Sequence, residues 1–424
     1  MPLFPFARRA AAPGLAVAFA WAALAVAHAA DTPLTLDAAV QRGLAQAPLL
    51  AARDADLDAA REEAARAGRL PDPFLTVGLA NYPVTAPGAF SLRSDQMTMR
   101  TVGVRQAIPS RSARQAERNL AAARIDAAAA DRVATTGAAS ERIADAWIAV
   151  WAVQRQRDLL TTLRDEAATA ARIAQARLRG GAGSATEALA ARSDLAALDN
   201  RIDAAQTDFA VAQASLQRWI GEADAPLGEP PDFSVLPVAL QRLQQTIDRQ
   251  APMQAWAARE QAAQAALDQA RAARHPDWSL SAAYGKRAPG LSDMVMLEVG
   301  VSLPLFTRNR QDRGISARQA ERDAVQAEHE DARRAQREAV AQAVATWQGW
   351  NRQIGRYRTL LLPLARDRSA TALASYRAGG ALQPWLDARR DEIGVRLSYA
   401  DALAARARQW ASLAYLLPQE ETTP

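Results

Sequence analysis

Ser112-Ala113-Arg114-Gln115-Ala116-Glu117-Arg118 recurs letter for letter as Ser316-Ala317-Arg318-Gln319-Ala320-Glu321-Arg322. Other markers keep their order around the two copies. Val102-Gly103-Val104 precedes the first and Val299-Gly300-Val301 the second. Further upstream, Ala47-Pro48 answers to Ala251-Pro252, and Pro71-Asp72 to Pro276-Asp277. Downstream, Gly183 and Leu189-Ala190-Ala191-Arg192 answer to Gly380 and Leu386-Asp387-Ala388-Arg389, and Trp147/Trp151 to Trp347/Trp350. One short match means little in a chain rich in Ala and Arg, but an ordered series about 200 residues apart is not accidental. The period far exceeds the roughly 20–50 residues of solenoid repeats. The chain is a duplicated half-protein, with copies over 30–234 and 235–424.

Each copy reads as helix, strand, strand, very long helix, helix. A first helix is expected over 35–69, ended by Pro71 and Pro73. Residues 74–82 alternate, with Leu75, Val77 and Leu79 on one face. A Pro- and Gly-containing loop over 83–95 leads to a second strand over 97–106, which closes the hairpin 74–106. In the second copy Trp278, Leu280, Ala282 and Tyr284 share a face, as do Val295, Leu297, Val299, Val301 and Leu303, giving a hairpin over 278–303. Strands of about nine residues suit a tilted crossing of a bilayer. A helix of roughly 70 residues is then expected over 110–180 and again over 310–378, each about 100 Å long. Return helices over 184–220 and 382–417 are half that length. The linker 221–235 follows the first. End to end, 184–220 with 236–274, and 382–417 with 35–69, each match one long helix. Four strands cannot close a barrel and open edges cannot face lipid, whereas three copies give 12 strands. The expected fold is mainly α with a small β part: a trimeric 12-stranded β-barrel continuous with an α-helical barrel.

Composition excludes several classes of function. The chain has no Cys, hence no disulfide, thiolate metal site or lipidated cysteine. Lys+Arg 51 against Asp+Glu 46 leaves a net charge of +5, but the charges are interspersed along helical faces, so no nucleic-acid site is expected. Arg8 and Arg9, the apolar run Leu15 to Val26 and Ala27-His28-Ala29 predict a signal peptide over 1–29. No later run approaches the roughly 18 apolar residues of a membrane helix, so any crossing must be made by strands. His275 and His329 lack helical partners at metal-ligand spacing and read as surface residues. Methionine reads as too sparse and scattered for a soft-metal relay. No P-loop, nucleophile elbow or dinucleotide fingerprint is present. No cofactor, no metal site and no enzyme activity are expected.

The duplicated architecture, with Leu178-x-x-Gly181 followed by Glu187 and Ala191-Arg192, and Tyr376-x-x-Gly379 followed by Leu386-Asp387-Ala388-Arg389, resembles the TolC family of outer-membrane efflux proteins. Leu70-Pro71-Asp72-Pro73, Gly78-Leu79-x-Asn81-x-Pro83, Met97-Thr98 and Gln106 resemble its heavy-metal branch, which serves resistance-nodulation-division pumps. The resemblance implies an outer-membrane homotrimer reaching into the periplasm. It would passively conduct substrate, metal cations in that branch, from an inner-membrane pump and a periplasmic adaptor (a membrane fusion protein). It places Gly181, Gly183, Gly379 and Gly380 in helix-tip turns that meet the adaptor, and makes Glu187 and Asp387 gate residues, with Tyr376 able to hydrogen-bond Glu187. The chain departs from the family at Pro384-Trp385, where an acid is common, and its second turn reads as one residue short. Glu187 and Asp387 are equally readable as first-turn acids that complement helix dipoles. Other readings are an outer-membrane duct for drugs or type I secreted proteins, and a soluble periplasmic coiled-coil scaffold. High salt would release the scaffold from membranes; a barrel needs detergent.

Overall fold

A computed structural model describes residues 33–221 and 226–417; the expected signal peptide lies outside them. The first copy comprises α1 (Leu36–Gln46), α2 (Pro48–Arg66), β1 (Phe74–Ala80), β2 (Met99–Ile108), α3 (Arg111–Arg179) and α4 (Ala185–Ile220). The second comprises α5 (Leu240–Gln245), α6 (Gln254–Ala272), β3 (Trp278–Lys286), β4 (Met294–Val301), α7 (Gln311–Arg356), α8 (Leu362–Arg377) and α9 (Gln383–Ala414). No helix among the described residues is long and apolar enough to cross a membrane.

The strands form one antiparallel sheet in the order β1-β2-β3-β4, so the two copies join where β2 pairs with β3. The register sorts the side chains. Val77 pairs with Val102, Val102 with Tyr284 and Tyr284 with Val295. Leu75 pairs with Val104, Val104 with Ala282 and Ala282 with Leu297. The sheet face that carries these residues is apolar and exposed. The opposite face carries mostly small and polar residues: Thr76, Gly103, Ala283 and Met296 in one row, and Arg105, Ser281 and Glu298 in another. Beyond β1 and β4 no strand pairs among the described residues.

Helix α3 is the spine. Toward the sheet it packs on α2, through Arg132 and Asp54, and on α6, where Asp131 meets Arg259 at 2.7 Å. Toward its far end it packs on α4 and α9. Three expectations about the helices need correction. The helix over 35–69 breaks at Ala47, because Pro48 lacks the N–H that a continuing helix requires. Likewise 236–274 is helical throughout only from Gln254, with two short 3₁₀ turns around Pro252. The helix over 310–378 contains Pro363, and a π turn at Tyr357–Leu361 absorbs it by widening the ladder one turn earlier. The end-to-end pairing is also exchanged. Gly221, at the end of α4, lies against Gln46 of α1, and Leu34 N–H donates to Pro226 O at 2.8 Å. Ala251 N–H donates to Leu416 O at 2.8 Å, so α9 is continued by α6. Length arithmetic alone fits either pairing.

The main core gathers at this junction, where α1, the middle of α3 and α7, and the ends of α4 and α9 meet. The repeated Trp residues explain themselves here. Trp147 Nε1–H donates to Leu34 O at 2.8 Å, and Trp347 Nε1–H donates to Phe233 O at 3.0 Å, both buried. Each copy uses one indole to pin the segment entering its first helix. Trp410 adds a third such bond, to Val235 O at 2.6 Å. In the same region burial pushes the Asp145 carboxyl above its ordinary range, opposed by Arg408, and one of its oxygens has no hydrogen-bond partner.

Trp347→Phe keeps the aromatic packing but orphans the buried Phe233 carbonyl, at a cost of about 1–3 kcal/mol, whereas in Trp147→Phe the Leu34 carbonyl keeps its bond from Gly228 N–H at 3.0 Å and the cost is about 0.5–1.5 kcal/mol. Trp147→Ala costs about 3–5 kcal/mol. Thermal unfolding followed by near-ultraviolet circular dichroism measures both; equal melting of wild type and the Phe variants would show that the indole bonds contribute nothing. Asp145 binds its proton more tightly when folded, so its contribution is favourable below the ordinary carboxylate pKa and is lost as pH rises through the raised value. Asp145→Asn therefore raises the melting temperature at pH 8 and gains less at pH 4.

Candidate functional site

The end of the molecule opposite the sheet consists of two helical hairpins, α3–α4 and α8–α9. Both turns have the same hydrogen-bond pattern. Gly181 N–H donates to Leu178 O at 3.1 Å and Ala182 N–H to Arg177 O at 3.0 Å. Gly379 N–H donates to Tyr376 O and Gly380 N–H to Ser375 O, each at 3.0 Å. Each is a Schellman closure, which requires a left-handed residue; Gly181 and Gly379 supply it at φ +70° and +97°. Gly183 and Gly380 are required for closeness instead: a Cβ would lie 2.9 Å from Arg177 Cβ or Ser375 O. The second turn is therefore not one residue short. Its helix ends and resumes at the same spacing as the first, from Arg179 to Ala185 and from Arg377 to Gln383.

The two turns differ in how the returning helix is anchored. Ser184 caps α4 in a capping box: its Oγ accepts from Glu187 N–H at 3.1 Å, and Glu187 Oε2 accepts from Ser184 N–H at 3.2 Å. Glu187 thus serves helix capping as well as supplying charge. At the matching position of α9 stands Trp385, and Leu382 replaces the capping Ser, with no side-chain cap among the described residues. Anchoring there is apolar. Leu382, Trp385 and Leu386 bury themselves against Ala170, Ala171 and Ala174 of α3 and Ala188 and Ala191 of α4. Tyr376 does not bond Glu187 within the protomer. Its ring lies parallel to that of Trp385, centroids 6.1 Å apart, with the Arg177 guanidinium 5.0 Å away.

Above the turns, α9 carries an ionic belt that sequence spacing did not disclose. Arg389 binds Glu166 of α3 and, at 2.6 Å, Glu392 one turn along; Arg396 meets Glu166 at 3.3 Å. Arg390 grips Asp194 of α4 through two bonds, 3.0 and 2.8 Å long, and Asp387 at 3.3 Å. The hydrogen bonds that Arg390 donates to Asp194 raise its already high pKa. Asp387 is therefore partly neutralised, and it also accepts from Gln383 Nε2 at 2.9 Å. Arg368 of α8 meets Asp391 at 2.6 Å. Between α3, α4 and α9 an open groove of about 270 Å³ runs past Ala167, Ala191, Asp194, Leu386 and Arg389. The charged pairs on α9 were visible in the sequence, but their partners depend on the register of α9 against α3 and α4.

Among the described residues no group of His, Cys, Asp and Glu could hold a metal ion. His329 is not a free surface residue: its Nδ1 lies 2.6 Å from Glu260 Oε1 and its ring stacks on Trp256.

A sheet with sorted faces, mounted on a long helical shaft with two tip turns, is the build of a channel-tunnel. The chain belongs to the outer membrane efflux protein family, whose profile matches residues 39–222 and 242–418. It is an efflux protein and not an enzyme. No curated protein matches the sequence significantly. Among solved structures, a membrane protein from Pseudomonas aeruginosa aligns over 90% of both chains at 20% identity, with a TM-score of 0.77. CusC aligns over 91% of this chain and 93% of its own at 18% identity, with a TM-score of 0.73. The open state of the Neisseria gonorrhoeae MtrE outer membrane channel aligns over 90% and 88% at 18% identity, with a TM-score of 0.71.

Arg389→Met leaves Glu392, which is only 6% exposed, without its partner, and should loosen the tip by about 1–3 kcal/mol. Arg368→Ala, in an exposed pair, should cost under about 0.5 kcal/mol. Hydrogen exchange of α8 and α9 compares them; equal protection in the two variants would show the belt to be inert.

Proposed function

We propose that this protein is the outer-membrane channel of a tripartite efflux system, a homotrimer that passively conducts substrate delivered by an inner-membrane pump through a periplasmic adaptor. The observation that carries this reading is the register-sorted sheet: one face is apolar on all four strands, the other mostly small and polar, and both outer edges lack partners. That pattern fits soluble packing poorly, since among the described residues no layer covers the apolar face; it fits lipid on one side and a conduit on the other. Threefold repetition gives 12 strands and leaves no edge in hydrocarbon. A soluble scaffold offers no use for the apolar face.

The tip turns then lie at the periplasmic end. Nothing lies within 4 Å of where a Cβ on Gly181 or Gly379 would sit, so both turns are open to an adaptor. Three copies of Glu187 and Asp387 near the aperture form acidic rings, which favour cations. The acidic residues at the tip and the resemblance to the heavy-metal branch together support metal cations as the substrate, ahead of drugs or secreted polypeptides. Opening requires α9 to release Glu166 and Asp194, a two-state shift that docking of the pump and adaptor would bias.

Purified protein in a planar bilayer should show discrete, cation-selective single-channel conductance. Glu187→Gln keeps the capping geometry and removes the charge. Combined with Asp387→Asn, it should lower cation selectivity. Conductance with unchanged selectivity would retain the duct and remove these residues from the gate. Trimers that insert without conducting would overturn the duct itself.

A further inference from the structure

Four of the six methionines fall at the end of the sheet away from the helices, at 97, 99, 294 and 296. Three of them meet on one face. Gly285 pairs directly with Met294, and Met296 pairs with Ala283 one row along on the same face. Met99 reaches the same spot from β2. A Cβ on Gly285 would lie 3.0 Å from Met99 Sδ and 3.6 Å from Met296 Cε. Gly285 is therefore a notch on which thioether side chains converge. Met99 is buried, whereas Met294 and Met296 remain accessible. This is the small and polar face of the sheet, otherwise made of Thr, Ser, Gly, Ala, Arg and Glu apart from Phe74. No helix or second sheet covers that face among the described residues, so packing in a core does not account for the exposed Met294 and Met296.

We infer that Met99, Met294 and Met296 form a binding site for a soft monovalent cation, of the Cu(I) or Ag(I) class, on the conduit side of the sheet near its outer mouth. Thioether sulfur is a soft, neutral ligand that selects such ions over hard divalent cations. The three donors come from two strands of different copies of the repeat, held in place by the β2–β3 and β3–β4 pairing. With no charged ligand, the site holds its ion loosely enough to release it, as a conduction site must. This inference rests on the duct reading, because it needs this face to line a conduit.

The test uses the detergent-purified protein with ¹³C-methyl methionine, titrated with Ag(I) in chloride-free buffer. The chain has no cysteine to compete for the ion. The methyl signals of Met99, Met294 and Met296 should shift, that of Met253 in the buried junction core should not, and Zn(II) should move none of them. The variant Met99→Leu/Met294→Leu/Met296→Leu keeps side-chain volume. It should lose the Ag(I)-saturable binding while keeping the wild-type far-ultraviolet circular dichroism. Unshifted signals at the three methionines, or Ag(I) bound equally by the triple variant, would overturn the site. Wild-type protein that fails to conduct would instead overturn the duct, and the two failures are read in separate experiments.

Discussion

A backbone N–H or C=O cannot be left unpaired in hydrocarbon, and this constraint governs the structure. The outer edges of β1 and β4 carry a full row of such groups. The protomer also exposes Leu75, Val77, Val295, Leu297 and Val299, a continuous apolar surface that water tolerates poorly. Neither problem has a solution inside one chain, because the described residues hold only two hairpins. In the proposed trimer, copies of the chain solve both at once, by pairing edge to edge and by turning the apolar face to lipid. Duplication helps: β2 and β3 already join the two copies antiparallel, so the inter-chain seam need only repeat a pairing the protomer has made.

The helices inherit their arrangement from the sheet. In the proposed assembly, a shaft continuing a wide ring of strands needs more staves than long helices alone provide, and the shorter ones must be spliced end to end. The splices coincide with the main core, where Trp147, Trp347 and Trp410 each donate to a backbone carbonyl of an incoming segment. A carbonyl buried without a partner would be costly. The indoles satisfy carbonyls of the incoming segments and so help fix where each splice lies. Stability is concentrated at the junction, while the tip is held by smaller apolar clusters and by ion pairs that water can replace.

The duplication, the four strands and their faces were legible in the sequence, because alternation and ordered repeats are local signals that packing does not alter. The helix break at Pro48 and the π turn before Pro363 were equally local, and the proline itself was the available signal. The exchange of spliced partners was not legible: α2 and α6 have the same length, so only tertiary contacts distinguish them. The belt from Arg389 and Arg390 to Glu166 and Asp194 was hidden for a related reason, since a helix shows its own spacing but not its register against neighbours. Met99 and Met296 looked scattered because almost 200 residues separate them, and only the β2–β3 and β3–β4 pairings together make them neighbours.

The two tip turns show what duplication permits. Their backbone closures are the same, yet one returning helix starts with the reciprocal Ser184–Glu187 cap and the other with buried Leu382 and Trp385. A capping box is satisfied locally and moves with its own helix. An apolar anchor wedged against α3 and α4 must be withdrawn before α9 can turn. The Tyr376–Trp385 stack and the grip of Arg390 on Asp194 add to that hold from the same side. The hairpin α8–α9 is therefore the one whose displacement breaks contacts between hairpins, whereas the turn of α3–α4 can stay as it is. In a tube closed at this end, movement of α8 and α9 away from a stationary α3 is the least costly way to widen the aperture.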